Sequence, residues 1–422
     1  MIEAMLECIG EQGYGGTVVA DVIAKAVASR KTFYEHFEDK QTCFLAMSDE
    51  VSDEWVRRVQ SATAEIGDQA GAIEALVNEL FELARQNPPA LRVIAVELTA
   101  AGPAGMIRRE RTLQEIASPL EQVLDEDPST TALRARAIVG AILRVLYARA
   151  RRGARVRRPR RSELLALAPE IVVWVGRYMG ESDVGLEERA KRPQSPSVGG
   201  RAPGTLSLSS RAIERRGLPR GEGNVSRSFV VHNQRERILD ALANLSSAKG
   251  YGLTTIPEIV REAAVSVQAF YEHFSGKDDA FLVAYEIGHR KALAIVERAY
   301  ESQTEWAAGV CAGIAALLDF LASEPAYAHL ALIDALTASP KAATIAHDGM
   351  NGYAAMLEPG LELSAIGAAT PIAVEATACI LLELCFVYVA QERPRELPAI
   401  ENLACELALC PFVNVSPPKS QA

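Results

Sequence analysis

Two short stretches of the chain begin a predicted helix with a capping hydroxyl group, and in the first of them cations follow. In the first stretch, Ser29 is a favourable helix N-cap, and Arg30, Lys31 and Thr32 follow it directly. Arginine and lysine at such a position reach guanine O6 and N7, and threonine contacts the methyl group of thymine. The order of residue types therefore predicts a helix that reads base edges in the major groove of DNA.

Phosphate contacts would fix the register of such a helix without reading sequence. Thr17 stands at the start of the preceding predicted helix, where the helix dipole favours an anion. We expect the backbone of DNA to be bound by Thr17, Tyr34, His36 and Lys40.

Three short helices are predicted to position these side chains. Ile2, Met5 and Ile9 recur at helical spacing, and the glycine-rich run at 13–16 ends that segment. A second apolar segment follows over 19–23, and Phe33 and Phe37, four residues apart, face inward from the third. A tight turn between the second and third helices makes this a helix-turn-helix.

The same pattern occurs twice. Residues 13–45 and 250–282 align without a gap at an offset of 237, with 14 of 33 positions identical. In the second copy, Gln268 suits adenine and Ala269 suits a thymine methyl, but no cation remains at the helix start. We expect weaker binding there, and a vestigial second copy is an open alternative. The matching DNA-binding candidates are Thr254, Thr255, Ser266, Val267, Gln268, Ala269, Tyr271, His273 and Lys277.

The run G-Y-x-x-T followed by S-x-x-x-F-Y-x-H-F-x-x-K resembles the signature of the TetR/AcrR family, and it covers about 45 residues in each copy. The resemblance implies an all-α fold with a three-helix head that binds double-stranded DNA. It also implies a helical body that binds a small-molecule effector and dimerises. Two tandem units of this kind are expected.

The predicted domains are a head over 1–45, a body over 46–180, a disordered linker over 181–231, a second head over 232–282 and a second body over 283–415. The linker is assigned because this segment is rich in Ser, Pro, Gly and Arg and shows no apolar periodicity. The family commonly has glycine in the turn before the recognition helix, but Val27 and Ala264 stand there. Either the turn is adjusted or both heads lose stability.

Composition narrows the class of protein. The 422 residues carry a net charge of −10, and residues 232–422 hold 12 basic and 23 acidic side chains. The seven cysteines have no metal-ligand spacing, which favours reduced cysteines packed as small hydrophobes in a cytoplasmic protein. We expect no membrane span, no cofactor, no metal site and no enzymatic activity, because no catalytic or cofactor-binding motif is present.

The last two helices of each body are predicted to form a four-helix dimer interface, as the resemblance implies. An alternative is that these residues are core within their own body. The run at 149–161 contains eight arginines and is either a solvated loop or a contact with the acidic second half. Aromatic residues including Tyr327 either line a ligand pocket or belong to the core. The predicted interface residues are Ile138, Ile142, Val145, Ile171, Val172, Val175, Ile380, Leu384, Val387, Ile400 and Leu407.

The leading hypothesis is a ligand-responsive transcriptional regulator, expected to be a repressor, whose halves pack as an intramolecular pseudo-dimer. A dimer of tandem chains is the alternative assembly. A second hypothesis is a sensor or scaffold protein that has lost DNA binding in one or both heads.

Overall fold

The computed structural model describes residues 1–64, 66–124, 128–156, 164–179, 227–363 and 369–413. Every regular element in these ranges is helical, which confirms the all-α prediction. The predicted linker lies outside the described residues except for 227–231, and so does 157–163 of the arginine-rich run. We call residues 1–180 the first half and residues 227–422 the second half.

The helices of the first half are short in the head and long in the body. They are α1 (Ile2–Gly16), α2 (Val19–Lys25), α3 (Arg30–His36), α4 (Lys40–Thr63), α5 (Gln69–Gln86), α6 (Pro88–Arg92), a π-helical turn (Val93–Glu97), α7 (Leu98–Ala100), α8 (Pro103–Glu121), α9 (Pro128–Val156) and α10 (Ala168–Arg177).

The second half repeats this order. Its elements are α11 (Arg227–Lys249), a 3-10 turn (Tyr251–Leu253), α12 (Ile256–Glu262), α13 (Val267–His273), α14 (Lys277–Glu301), α15 (Trp306–Ser323), α16 (Pro325–His329), a π-helical turn (Leu330–Asp334), α17 (Pro340–Ala354), α18 (Gly360–Leu363), α19 (Pro371–Ala390), a 3-10 turn (Pro394–Ile400) and α20 (Glu401–Leu409).

Each head forms because a few apolar side chains converge on the third helix. Met5 and Ile9 of α1, Val22 of α2 and Phe33 of α3 are fully buried. Helix α1 bends at Gly13, whose φ of 75° is the left-handed conformation that glycine adopts at little cost. The first head is continuous with the large core of the protein, whereas the second head has a separate core around Phe270 and Phe281.

The turn before each recognition helix keeps left-handed geometry without glycine. Val27 has a φ of 49° and Ala264 a φ of 48°. The sequence left open either an adjusted turn or a loss of stability. The turn is not adjusted, so the backbone strain remains at both positions. Val27 is 93% exposed, so its side chain gains little packing in return.

Replacing Val27→Gly should stabilise the protein by about 1 kcal/mol, because a left-handed residue with a Cβ costs roughly 1–2 kcal/mol and the more flexible unfolded chain returns part of this. The urea concentration at the midpoint of unfolding should therefore rise. The matched control is Ala24→Gly, at an exposed position inside α2, which should lose about 1 kcal/mol. A fall in the midpoint for Val27→Gly would contradict the strain argument.

The two bodies pack against each other through α9 and α10 of the first half and α19 and α20 of the second. We call this contact the inter-half interface. All the apolar residues predicted for it are buried, and all but Val387 belong to one core that contains residues of both halves. Trp174 donates to the Thr377 hydroxyl (3.1 Å), and the Tyr178 hydroxyl donates to the Leu407 carbonyl (3.0 Å).

Ion pairs cross the inter-half interface in one direction, from arginines of the first half to glutamates of the second. Arg134 binds Glu406 with both guanidinium nitrogens at 2.7 Å, and Arg149 pairs with Glu375. Residues 149–156 of the arginine-rich run continue α9 as helix, so the solvated-loop interpretation is wrong for that part. Arg149 instead reaches the acidic second half.

The most deeply buried of these pairs is centred on Glu383 of α19. Its carboxylate is 1% exposed, accepts from Arg109 Nη2 at 2.9 and 3.0 Å, and also accepts from Arg144. Burial disfavours the charge, but the two guanidiniums outweigh burial and lower the pKa of Glu383. A Cβ at position 140 of α9 would lie 2.8 Å from this carboxylate, so Gly140 makes room for it.

Neutralising this carboxylate by Glu383→Gln should destabilise the protein by about 3 kcal/mol or more, because two buried guanidiniums would lose their counter-charge. Urea denaturation at pH 7 measures the change. The control Glu396→Gln breaks an exposed pair with Arg393 and should cost less than about 1 kcal/mol. Similar losses in the two variants would show that the buried cluster does not stabilise the interface.

The same cluster predicts a direction for acid sensitivity. Because the folded pKa of Glu383 is lowered, its stabilisation is present above the unfolded value of about 4.3 and is lost as pH falls through the folded value. The difference in unfolding free energy between wild type and Glu383→Gln should therefore narrow below about pH 4. A constant difference down to pH 3 would contradict this linkage.

Two helices, Trp306–Ser323 and Pro371–Ala390, are long and apolar enough by composition to cross a membrane. The second is mostly buried between the halves and carries Glu375 and Glu383 in ion pairs. The first contains Asp319 and packs against α14 and α20. Core helices of water-soluble proteins can be equally long and apolar, so these two helices are weak evidence for a membrane span.

Candidate nucleic-acid interface

Helix α3 presents a cationic beginning to solvent. Ser29 caps it, with its Oγ accepting from the Thr32 amide at 3.0 Å. Phe33 is buried, which turns Arg30 and Lys31 outward. Lys31 is 87% exposed and forms a loose pair with Glu35 at 3.8 Å. The first turn of α3 therefore carries two accessible cations, one of the requirements for contact with base edges.

The remaining predicted residues of α3 divide by exposure. Tyr34 and His36 are exposed and lie on the solvent side of the helix, where a phosphate contact is geometrically open. Thr32 is half-buried, and its hydroxyl shares a hydrogen bond of 2.8 Å with Ser29. Thr32 and Ser29 thus stabilise the start of the helix.

The structure revises the phosphate contacts expected of Thr17 and Lys40. Thr17 is fully buried and its hydroxyl donates to the Gly13 carbonyl at 2.7 Å. Lys40 Nζ donates to the carbonyls of Tyr14 (2.9 Å) and Thr17 (3.1 Å) and lies 4.1 Å above the Tyr14 ring. Burial lowers the pKa of Lys40. Both side chains close the head and are not directed at solvent.

The second head is closed by the same contacts, so the phosphate contacts expected of Thr254 and Lys277 are revised as well. The Thr254 hydroxyl donates to the Gly250 carbonyl at 3.0 Å. Lys277 Nζ donates to the carbonyls of Tyr251 (2.9 Å) and Thr254 (2.8 Å). Thr255 is exposed, but its hydroxyl and amide are bound to Glu258 in a capping box. A motif that resembles a phosphate site therefore serves the internal structure of the head.

Helix α13 has an exposed face of different chemistry. Ser266 caps it through the Ala269 amide at 3.0 Å. Val267 is about half exposed, and the Gln268 amide donates to Glu272 at 3.1 Å. The exposed Tyr271 matches Tyr34. Between Val267 and Tyr271 this face presents an amide and an aliphatic side chain where α3 presents two cations.

Two predicted contacts of α13 are revised by burial. Ala269 is 8% exposed, so little of its methyl group is available to pack against a thymine methyl. His273 is half-buried, and its Nε2 is shielded from solvent without a hydrogen-bond partner among the described residues. The first head keeps the equivalent His36 exposed, so the two heads differ at the end of the recognition helix as well as at its beginning.

One carboxylate joins each head to its body, and sequence reasoning missed both of them. Glu97, in the π-helical turn Val93–Glu97, accepts from the Tyr14 amide at 2.8 Å and from Arg92 at 2.7 Å. Asp334, at the end of Leu330–Asp334, accepts from the Tyr251 amide at 3.2 Å and contacts His329. We call these two contacts the head latches.

The head latches obey the offset of 237 that aligns the heads. Arg92 and His329 occupy matching positions, and so do Glu97 and Asp334. Extending the alignment past position 45 would have revealed this pattern. Because each carboxylate binds the amide of the residue after Gly13 or Gly250, each π-helical turn is joined directly to a head.

Comparison with known proteins agrees with the geometry of the heads. The family described as bacterial regulatory proteins, tetR family, matches residues 1–47 and 238–284. The chain carries two TetR-family domains. These are helix-turn-helix domains of DNA-binding regulators, and the resemblance identified from the sequence is confirmed for both heads. The bodies lie outside the matched ranges.

One curated relative is the HTH-type transcriptional regulator HbdR of Aromatoleum sp. (strain CIB). It is 44% identical over 50 residues, which are 12% of this chain and 22% of the relative, so the match spans about a fifth of the relative's length. A solved structure, the transcriptional regulator FadR from Bacillus subtilis in complex with stearoyl-CoA, is 17% identical with a TM-score of 0.37. It covers 41% of this chain and 95% of its own, and at this TM-score the likeness supports no inference.

Removing both cations of α3, by Arg30→Ala with Lys31→Ala, should weaken sequence-specific DNA binding by at least about tenfold, since each good base contact contributes roughly 1–3 kcal/mol. The slope of log affinity against log salt should also become shallower. Fluorescence anisotropy over a salt series measures both quantities. The control Arg111→Ala removes a similarly exposed cation from the body and should leave both unchanged. Unchanged affinity in the double variant would refute the assignment of α3 as the recognition helix.

Proposed function

We propose that the protein is a ligand-responsive transcriptional regulator, acting as a repressor, in which the two halves of one chain form a pseudo-dimer on DNA. The observation that carries the proposal is the pairing of two TetR-type heads with an interface in which, among the described residues, the ion pairs join arginines of the first half to glutamates of the second. A helical body beside each head and action on chromosomal DNA in the cytoplasm are what the family resemblance implies.

The charges of the interface favour pairing of unlike halves. The first half contributes Arg109 and Arg144, and the second contributes the carboxylate between them. An interface between two first halves would bury guanidiniums together, and one between two second halves would bury glutamates together. Each arrangement leaves uncompensated charge, which costs several kcal/mol. The arginines and glutamates involved are Arg109, Arg134, Arg144, Arg149, Glu375, Glu383 and Glu406.

Unlike halves imply unlike half-sites. The first head offers Arg30 and Lys31 to base edges, and the second offers Gln268 beside Val267. Arginine and lysine favour guanine, whereas glutamine favours adenine. We therefore expect an asymmetric operator in which the first head provides most of the affinity, in contrast to the palindromes bound by homodimers.

Selection of bound duplexes from a random pool tests the proposal, combined with the native mass of the complex. The expected result is a non-palindromic site with half-sites centred about 34–36 Å apart, bound by one chain of 45.5 kDa. The variant Arg30→Ala with Lys31→Ala should lose one half-site and keep the other. A perfect palindrome bound by two chains would overturn the pseudo-dimer.

A sensor or scaffold protein without DNA binding is the second candidate function. The observation that favours it is the recognition helix α13, whose exposed face from Val267 to Tyr271 carries no cation. Filter binding to genomic DNA at low and moderate salt separates the candidates, because a regulator retains specific binding as salt rises. Loss of all binding at moderate salt would favour the sensor.

A further inference from the structure

A cavity of about 210 Å³ lies where the second body meets α9 of the first half. Its walls come from α14, α15, α17 and α19, and the first half contributes side chains that include Val96 and Tyr147. Of the aromatic residues considered as pocket candidates from the sequence, Tyr327 lines this cavity. The space is thus shared between the halves, although most of its wall belongs to the second body.

Three polar side chains of the cavity are uncharged. Tyr285 stacks on His289 with ring centroids 5.8 Å apart, and His289 meets the edge of Tyr353 at 5.5 Å. Burial lowers the pKa of His289 and raises the pKa of Tyr285 and Tyr353, so all three are neutral near pH 7. They offer hydrogen bonds without a net charge, beside aliphatic side chains such as Leu332.

The charged residues at the wall are of both signs. Arg144 is bound to Glu383 in the interface cluster. Arg151 donates to the Thr344 hydroxyl at 3.3 Å, and Asp348 lies on the same wall with the opposite charge. Taking an ion out of water without a dedicated counter-charge is expensive. The cavity therefore suits a neutral ligand better than an anion or a cation.

The equivalent positions of the first body carry smaller side chains, which are buried. At the offset of 237, Tyr285, His289 and Tyr353 correspond to residues 48, 52 and 116, which are serine, serine and isoleucine. Gly349 corresponds to Thr112, whose hydroxyl donates to Ser52 at 2.9 Å. A Cβ at position 349 would lie 3.0 Å from the Tyr285 hydroxyl, so glycine leaves room for the Tyr285 side chain in the second body.

The cavity borders both head latches. Ala331 and Leu332 belong to the π-helical turn that ends at Asp334, and Val96 belongs to the turn that ends at Glu97. These carboxylates hold the amides of Tyr251 and Tyr14 respectively. A molecule in this one space thus contacts residues adjoining both connections to DNA-binding heads.

We propose that this cavity binds one uncharged, mainly apolar molecule with a hydrogen-bonding oxygen, and that its occupancy acts on both heads through the two π-helical turns. A cavity of about 150 Å³ accepts benzene, so the space here suits one substituted ring or two fused rings. The effect on DNA rests on the proposed function, whereas the ligand class and the response of the latches do not.

Equilibrium dialysis of the full chain against 2-naphthol, naphthalene and 2-naphthoate tests the ligand class. One 2-naphthol per chain should bind, at least about tenfold more tightly than 2-naphthoate. Tyr353→Phe removes only a hydroxyl and should reduce the preference for 2-naphthol over naphthalene, whereas Tyr34→Phe, on the exposed face of α3, should not. Equal or tighter binding of 2-naphthoate, two sites per chain, or no saturable binding of any probe would overturn the proposal.

Hydrogen exchange of the same samples tests the coupling without DNA. Saturating 2-naphthol should change protection in peptides covering 13–17 and 250–254, and both changes should weaken in Tyr353→Phe at the same concentration. A change in one head alone, or in neither, would refute action on both latches. If these responses occur but no specific DNA site is found, the proposed function fails and the ligand site remains. If a specific DNA site is found but these responses are absent, the inference about the ligand site fails and the proposed function remains.

Discussion

The buried carboxylate of Glu383, held by Arg109 and Arg144, is the interaction on which the arrangement of the two halves depends. Each of these charges is costly to bury by itself, and the cluster is complete only when α8 and α9 of the first half meet α19 of the second. Position 140 has no side chain, which leaves room for the carboxylate. Helices α9 and α19 contribute to the wall of the cavity, and each contacts the π-helical turn of its own half.

The two copies keep their internal contacts and differ where they face something else. The lysine that closes each head, the capped recognition helix and the carboxylate latch occur in both at one offset. The exposed face of the recognition helix is cationic in the first copy and neutral in the second, and the cavity is lined mainly by the second body, where the first body has smaller buried side chains. This pattern is consistent with a division of labour in which the first half supplies DNA affinity and the second supplies ligand response.

The sequence predicted the all-α fold and both heads because these depend on local signals, namely apolar periodicity, capping serines and a repeated motif. It failed where a residue's role depends on tertiary contact. Thr17 and Lys40 have the chemistry of phosphate ligands, but their polar atoms are used by neighbouring carbonyls within the head. Ala269 matches Thr32 in the alignment, but it is buried. Glu383 appears as one acidic residue in an apolar helix, and its two partners lie 274 and 239 positions away.

Cleavage between the halves tests most directly whether this interface holds them together. A protease site inserted between residues 190 and 215 allows the chain to be cut after it has folded. The account predicts that the two fragments remain associated at micromolar concentration and sediment with the mass of the intact chain, 45.5 kDa. Fragments that separate into two smaller species on cleavage would contradict it.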